Sequence, residues 1–119
     1  MIHNAFPSAS LEKQIFTFYP NIYSSVPLSE DLMAHENTHL AQQKSFLGAL
    51  KWWRRYIDDP KFRTEQEIEA CKAQLRAAKS MVKDRNKISG FIDILAKNLS
   101  SEVYGNCVSF EEARKRIND

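Results

Sequence analysis

The stretch SEDLMAHENTHLAQQKS, residues 29–45, decides the fold of this chain because it predicts a helix with one inward-facing side. Ser29 is a favourable N-cap residue, and the two acidic residues after it place negative charge where the helix dipole favours it. No helix-breaking residue follows before Gly48. The residues of one face recur at helical spacing and predict contact with the rest of the protein: Leu32, His35, His39, Gln42 and Phe46.

The centre of this helix carries the pattern HENTH, residues 35–39, which matches His-Glu-x-x-His. Residues four apart lie on the same helix face, so the imidazoles of His35 and His39 can reach one metal ion. Glu36 lies about 100° further round the helix, where its carboxylate can contact a metal-bound water without ligating the metal. This geometry indicates a zinc-dependent hydrolase with Glu36 as the catalytic general base. The alternative is a pair of buried, hydrogen-bonded core histidines, in which Glu36 has no role.

A second strong helix is predicted over about residues 60–83. Asp59 is a suitable cap, Pro60 suits the first helical position, and no breaker follows for more than twenty residues. The apolar residues of this segment recur at helical spacing and predict another inward-facing stripe: Ile68, Cys71, Leu75, Ala78 and Val82.

This second helix is also the best source of the third protein ligand that a zinc hydrolase needs beside an open position for water. Projection at about 100° per residue places Glu67 at the border of the apolar stripe, where a ligand must lie, and Glu65 is the second choice. Glu69 points further outward and is expected to be a surface charge. His3 lies in a polar stretch without periodicity and is a poor candidate ligand.

The N-terminal part of the chain predicts the only β structure. Residues 15–19 and 22–26 alternate aromatic and apolar side chains across Pro20-Asn21, which indicates a short β-hairpin or an extended arm. Residues 1–14 are expected to form such an arm. We find no sign of a second domain, so residues 1–119 are expected to form one domain.

The rest of the chain predicts further helices, so the fold class is mainly α, a compact helical domain. Helices are expected over about 47–58 and 90–99, with a polar loop over 83–87. The pair Ser109 and Glu112 has the spacing of a capping box, which predicts a last helix to about residue 117. The segment 47–58 has a wide apolar arc that implies contact on two sides, within the fold or with a partner: Phe46, Leu50, Trp52, Trp53, Tyr56 and Ile57.

Composition limits the classes of function. The 119 residues are 43% hydrophobic and 27% charged, with a formal net charge of +2, which is too small to indicate nucleic-acid binding. No segment is long and apolar enough to span a membrane, and no signal peptide is recognisable, so a cytoplasmic protein is expected. Without a secretory signal, Cys71 and Cys107 are expected to be reduced thiols.

The match to a zinc-binding pattern extends beyond the pentapeptide. HENTHLAQQ, residues 35–43, is followed by EIEA, residues 67–70, and the chain resembles the gluzincin class of metallopeptidases. It looks like small HExxH metallopeptidase-like proteins of tailed bacteriophages, and it is also similar to the HExxH core domain associated with bacterial contractile injection systems. The segments WRRYIDDPKFR, residues 53–63, and YGN, residues 104–106, extend this likeness to about residues 20–117.

The resemblance implies a Zn²⁺ ion bound by His35, His39 and Glu67, the first Glu of the E-x-E-A segment. It also implies that a strand edge beside the zinc helix holds a peptide substrate by backbone hydrogen bonds, and only residues 15–26 offer such a strand. The chain departs from several relatives at Cys71, where they carry an aspartate that can orient a ligand. The source implied is a phage, with the protein in the bacterial host cytoplasm or in the virion.

The sequence therefore predicts a zinc-dependent metallopeptidase-like hydrolase that cleaves amide bonds in a peptide, protein or peptidoglycan substrate. Tyr23, Arg63 and Tyr104 are candidate donors to the oxyanion, and the sequence does not rank them. Gln42, one turn after His39, is expected to hydrogen-bond near the ligands.

The alternative function is that of a phage virion or assembly protein with a structural or vestigial zinc site. The small size of the chain leaves little room for a second substrate-binding lobe, and the aromatic arc over residues 47–58 suits contact with other virion proteins. A Glu36 that faces open solvent beside a fourth coordination position of the metal favours the hydrolase, whereas a closed site favours the assembly protein.

Overall fold

The computed structural model describes residues 15–119, of which about 71% are helical. A mainly α fold with a short hairpin near the N-terminus is therefore confirmed. The expected arm over residues 1–14 lies outside the described residues. Among the described residues, none of the helices is long and apolar enough to cross a membrane.

The described chain begins with strands β1 (Ile15–Phe18) and β2 (Asn21–Ser24), which pair antiparallel with Phe16 opposite Tyr23. The helices that follow are α1 (Glu30–Ser45), α2 (Ala49–Asp58), α3 (Pro60–Met81), α4 (Arg85–Leu99) and α5 (Phe110–Asn118). A short 3₁₀ turn, Glu102–Tyr104, joins α4 to α5.

Two predicted helix caps are present. The Asp59 carboxylate accepts a hydrogen bond from the backbone N–H of Phe62, and the Ser109 hydroxyl accepts one from Glu112. At the start of α1, the Ser29 hydroxyl instead donates to the Asp31 carboxylate at 2.7 Å. The acidic first turn of α1 still complements the helix dipole.

The polar loop predicted over residues 83–87 is confirmed only in part, because residues 82–84 lie between helices and residues 85–87 are helical. Helix α4 begins at Arg85, because the Asp84 carboxylate caps it by accepting hydrogen bonds from the backbone N–H groups of Asn86 and Lys87. The charged and polar residues of this segment form a capped first helical turn that is exposed to solvent. Their composition is similar to that of a loop.

Helix α3 runs through the middle of the domain and packs against elements on two sides. On one side its apolar stripe meets α4 and α5 in a core of nine buried residues: Ile68, Cys71, Leu75, Ile92, Leu95, Ala96, Leu99, Ala113 and Ile117. On the other side it packs along α1 and α2, where aromatic rings of α2 fill the space. The candidate site lies where α1 meets α3.

Candidate metal centre

Helices α1 and α3 bring three of the predicted site residues together. Glu67 lies 3.2 Å from His35, measured from carboxylate Oε1 to Nε2, and 3.2 Å from His39, measured from Oε2 to Nε2. One ligand atom from each residue lies within 4.8 Å of the other two. The group is buried in the seam between the helices, and it can hold a metal ion.

The negative charge of Glu67 and the positive charges of protonated His35 and His39 stabilise one another. Burial would raise the pKa of Glu67, but the charge of His39 and the hydrogen bond from His35 outweigh it and hold the pKa well below its usual range. Burial would lower the pKa of His35, yet hydrogen bonds with Cys71 and Glu67 hold it well above its usual range. In His39 the charge of Glu67 overcomes burial and raises the pKa. The carboxylate is therefore ionised and offers negative charge to a cation.

A glutamine on α3 orients the first imidazole. The Gln74 Oε1 atom lies 2.9 Å from Nδ1 of His35, and the Gln74 amide nitrogen donates to the Asp31 carboxylate at 3.0 Å. Because a carboxylate only accepts, this contact fixes which end of the amide faces the imidazole. With the Nδ1 proton held by Gln74, Nε2 is the nitrogen of His35 that can lose its proton and ligate a metal ion at the centre of the group.

A second glutamine orients the other imidazole in the same way. The Gln42 Oε1 atom lies 2.8 Å from Nδ1 of His39, and its amide nitrogen donates to the Gln66 carbonyl and to the Glu69 carboxylate at 2.6 Å. The predicted hydrogen bond of Gln42 near the ligands is thus confirmed. Glu69 is exposed, as expected for a surface charge.

The third candidate ligand is held from α2. The Tyr56 hydroxyl, on a side chain that is 2% exposed, donates to Glu67 Oε2 at 2.6 Å. Glu67 Oε1 remains directed at His35. Each of the three residues that can ligate a metal therefore has a hydrogen-bond partner on another element or one turn along its own helix.

Glu36 lies beside this group on the wall of a cavity. The cavity has a volume of about 180 Å³, and His35, Glu67 and Cys71 share its wall with Glu36. The Glu36 Oε1 atom accepts a hydrogen bond from the Thr17 hydroxyl of β1 at 2.7 Å. Glu36 is not one of the three residues that can ligate a metal ion. Its carboxylate lies next to space that a small molecule can enter.

Apolar side chains form a large part of the cavity wall. These side chains come from β1, α1 and α4: Ile15, Leu32, Phe91, Ile94, Leu95 and Leu99. Within residues 15–119, the lining includes neither lysine nor arginine. The lining also includes the carboxylates of Asp31, Glu36 and Glu67, so the cavity offers both apolar surface and negative charge.

The other acidic candidate is occupied elsewhere. Glu65 forms a bidentate pair with Arg116 of α5, with Oε–N distances of 2.6 and 2.8 Å, and the hydrogen bond from Arg116 lowers its pKa. Glu65 therefore ties α3 to α5 and does not join the group of His35 and His39.

The three candidate oxyanion donors are far from equivalent. Tyr23 is 54% exposed on β2, and the Arg63 guanidinium donates to the carbonyls of Tyr56, Ile57 and Tyr104. Tyr104 lines the cavity beside the candidate metal ligands.

The predicted substrate-holding edge of β1 is largely paired within the protein. The carbonyl of Thr17 accepts hydrogen bonds from the side chains of Gln43 and Trp53, and the N–H of Tyr19 donates to Gln43. The amide of Gln43 takes the position that a neighbouring strand would occupy. Only the part of this edge near Ile15 borders the cavity.

Cys71 lies on α3 and shares the cavity wall with His35 and Glu67. Its thiol lies beside the His35 ring, and burial raises the pKa of the thiol, so it is protonated. The hydrogen-bond partner of His35 Nδ1 is Gln74, one turn further along α3.

Sequence reasoning missed the partners that come from distant parts of the chain: Thr17, Gln43, Tyr56 and Gln74. A signal existed for Tyr56 and Gln74, because both lie on the same faces of their helices as predicted inward-facing residues.

Comparison of the chain with family models, curated proteins and solved structures found no match to any of them.

Proposed function

We propose that this protein is a zinc-dependent hydrolase of amide bonds, a metallopeptidase in its chemistry. The observation that supports this proposal is the convergence of His35, His39 and Glu67 beside a cavity whose wall carries Glu36. A closed metal site with a purely structural role needs no additional, non-ligating carboxylate at the edge of an adjoining cavity.

Zinc fits the donor set of this group. Two imidazole nitrogens and one carboxylate are a known ligand set of catalytic zinc, and such sites keep a fourth position open for water. A bound zinc ion would supply a water of lowered pKa and polarise a carbonyl.

Several residues around this site then have separate roles in the reaction. Glu36 takes a proton from the attacking water as the new C–O bond forms, and it returns the proton to the leaving amine as the C–N bond breaks. Tyr104, on the cavity wall, is the best placed of the candidate donors to the oxyanion. Gln74 and Gln42 keep both imidazoles in the tautomer that a metal requires.

The cavity indicates what kind of substrate residue it accepts. Its volume of about 180 Å³ is below that of pockets that enclose whole drug-sized ligands, so most of a substrate chain must lie on the surface. The apolar part of its wall favours an apolar side chain next to the cleaved bond, in a peptide, a protein or a peptidoglycan stem peptide.

The resemblance of residues 35–43 and 67–70 supports a biological setting for this activity. We propose a relationship to the small HExxH proteins of tailed bacteriophages and to the core domain associated with contractile injection systems. The protein would then act in the bacterial host cytoplasm or as part of a virion.

The experiment is elemental analysis of purified protein, combined with hydrolysis of peptide libraries and cell-wall material. We expect one zinc per chain and hydrolysis in the wild type. Glu36→Gln should retain the zinc and lose roughly 10²–10⁴-fold in rate, because it removes the general base. Glu30→Gln, which changes an exposed carboxylate on the same helix, is the matched control and should behave as the wild type.

Two results would contradict the proposal: Glu36→Gln with wild-type turnover, or a zinc-loaded wild type that hydrolyses no substrate. The second result would favour an assembly protein with a structural zinc site. The exposed apolar side chains of Leu47, Leu50 and Ile57 on and beside α2 support that alternative, because they suit contact with another virion protein.

A further inference from the structure

The candidate general base has a hydrogen-bond donor from a different element. The Thr17 hydroxyl of β1 donates to Glu36 Oε1 at 2.7 Å, and the Thr17 residue is 2% exposed. Among residues 15–119, no donor contacts the second oxygen of Glu36, Oε2. One carboxylate oxygen is thus fixed, and the other is left for a proton.

Thr17 is itself held firmly in place. Its carbonyl accepts hydrogen bonds from the Gln43 amide at 2.9 Å and from the Trp53 indole at 2.8 Å. The neighbouring Phe16 ring stacks on Trp53 with 5.4 Å between ring centroids. The backbone of β1 is therefore anchored to α1 and α2 without help from the Thr17 hydroxyl.

We propose that Thr17 is a positioning residue for Glu36 in the hydrolysis reaction, an inference that rests on the proposed function. The Thr17 hydroxyl makes a short, directional hydrogen bond to one oxygen of the Glu36 carboxylate. This bond selects one rotamer of Glu36 on the cavity wall and leaves Oε2 to accept the proton. Correct placement of a catalytic group is worth a large factor in rate, because the reacting atoms must be aligned before the proton moves.

A purely structural role for this bond explains less of the geometry. The hairpin is already attached by Gln43 and Trp53, so a third attachment is not needed to hold it.

The test compares two substitutions at the same position in the zinc-loaded protein. Thr17→Val keeps the shape of the side chain and removes the donor, whereas Thr17→Ser keeps the donor. We expect Thr17→Val to lower kcat by roughly 10–100-fold with little change in KM or zinc content, and Thr17→Ser to restore most of kcat. Thr64→Val, which removes a buried hydroxyl that donates to the carbonyl of Pro60, is the matched control and should keep kcat.

Combined variants separate positioning from stability. In a Glu36→Gln background, Thr17→Val should cause no further loss of rate, because the base it positions is gone. In thermal unfolding, Thr17→Val should lower the Tm in the wild-type background and have a smaller effect in a Glu36→Ala background, which lacks the acceptor.

Three outcomes would overturn the inference: wild-type kcat in Thr17→Val, an equal loss in Thr17→Ser, or identical Tm shifts in both backgrounds. A zinc-loaded wild type without any hydrolysis would instead overturn the proposed function, and the positioning role would fall with it. The two failures are distinguishable, because only the first occurs in an active protein.

Discussion

At the scale of single residues, the candidate metal centre depends on neutral partners. Glutamines face the outer nitrogens of both histidines, and a tyrosine hydroxyl faces Glu67. Neutral amides leave Glu67 as the one negative charge among the three ligands, so a divalent cation bound there would keep a net positive charge. Such a charge helps to lower the pKa of a bound water.

Tyr56 offers the cleanest test of these partners. Tyr56→Phe removes the hydroxyl that donates to Glu67 and keeps the ring stacked on Trp52. We expect zinc affinity to fall by about 10–100-fold, because the carboxylate loses the contact that orients it. The measurement is competition for zinc with a chelating dye.

Tyr23→Phe is the matched control, since the Tyr23 ring is half-exposed and its hydroxyl accepts a hydrogen bond from Asn21 on the hairpin. This variant should bind zinc as the wild type does. Equal affinities for Tyr56→Phe and the wild type would show that Glu67 needs no help from α2.

These partners also show which part of a site a sequence predicts. Gln42 was predicted near the ligands because it follows His39 by one turn, a local relation that helix geometry determines. Gln74 and Tyr56 reach the site from other elements, and their contacts depend on how α1, α2 and α3 pack. Helical periodicity identifies an inward face, but it does not identify which residue of another helix that face will meet.

At the scale of elements, the buried Arg63 side chain joins α3 to the end of α2 and to the 3₁₀ turn. Its guanidinium donates to the carbonyls of Tyr56, Ile57 and Tyr104. The turn ends at Gly105, whose φ of +89° lies in the left-handed region. A Cβ atom at Gly105 would lie 2.7 Å from a nitrogen of Arg63.

Two glycine substitutions test this junction. Gly105→Ala should destabilise the fold by about 1–3 kcal/mol, because it adds a strained backbone conformation and a contact with Arg63. Gly90→Ala is the control, since Gly90 lies inside α4 with open space around its Cβ position. That variant should stabilise the fold by about 0.5–1 kcal/mol.

Urea unfolding of both variants measures the difference. A Gly105→Ala variant as stable as the wild type would mean that the turn can rearrange and that Arg63 can move away. It would also remove the argument that the 3₁₀ turn has a fixed position beside the cavity, where Tyr104 lies.

How well the ends and buried faces of the helices could be predicted also depended on whether the contacts involved are local in the sequence or come from distant residues. The caps at Asp59 and Ser109 were predicted because their partners lie three residues away. The wide apolar arc of α2 is explained only by packing: Trp52 and Tyr56 are buried, whereas Leu50 is 55% and Ile57 42% exposed. Sequence periodicity does not show which part of a wide arc the rest of the fold will cover.

At the scale of the whole molecule, the candidate site lies between two differently built parts. An apolar core formed with α4 and α5 lies on one side of α3, and aromatic rings of α2 and β1 lie on the other. The imidazoles of His35 and His39 and the Glu67 carboxylate lie between α1 and α3. Neither the apolar core nor the aromatic rings surround these polar groups with apolar contacts alone. Burying these charges costs free energy unless they are paired or bind a metal ion.

A metal ion bridging α1 and α3 should therefore stabilise the entire fold. Binding that favours the folded state stabilises it by about 2.7 kcal/mol when free zinc is one hundred times the Kd. For a domain of this size, that corresponds to a rise in Tm on the order of 10 °C. Thermal unfolding with excess zinc and with excess chelator measures the shift.

Two substitutions on α3 then decide whether the site found here is responsible. Glu67→Gln removes the ligand charge and should abolish most of the zinc-dependent shift, whereas Glu65→Gln only breaks the surface pair with Arg116 and should keep it. The surface pair is worth at most about 1 kcal/mol, so the Tm of Glu65→Gln without zinc should stay close to that of the wild type. If Glu65→Gln loses the shift and Glu67→Gln keeps it, the ligand set is wrong, and zinc stabilises the protein from another place.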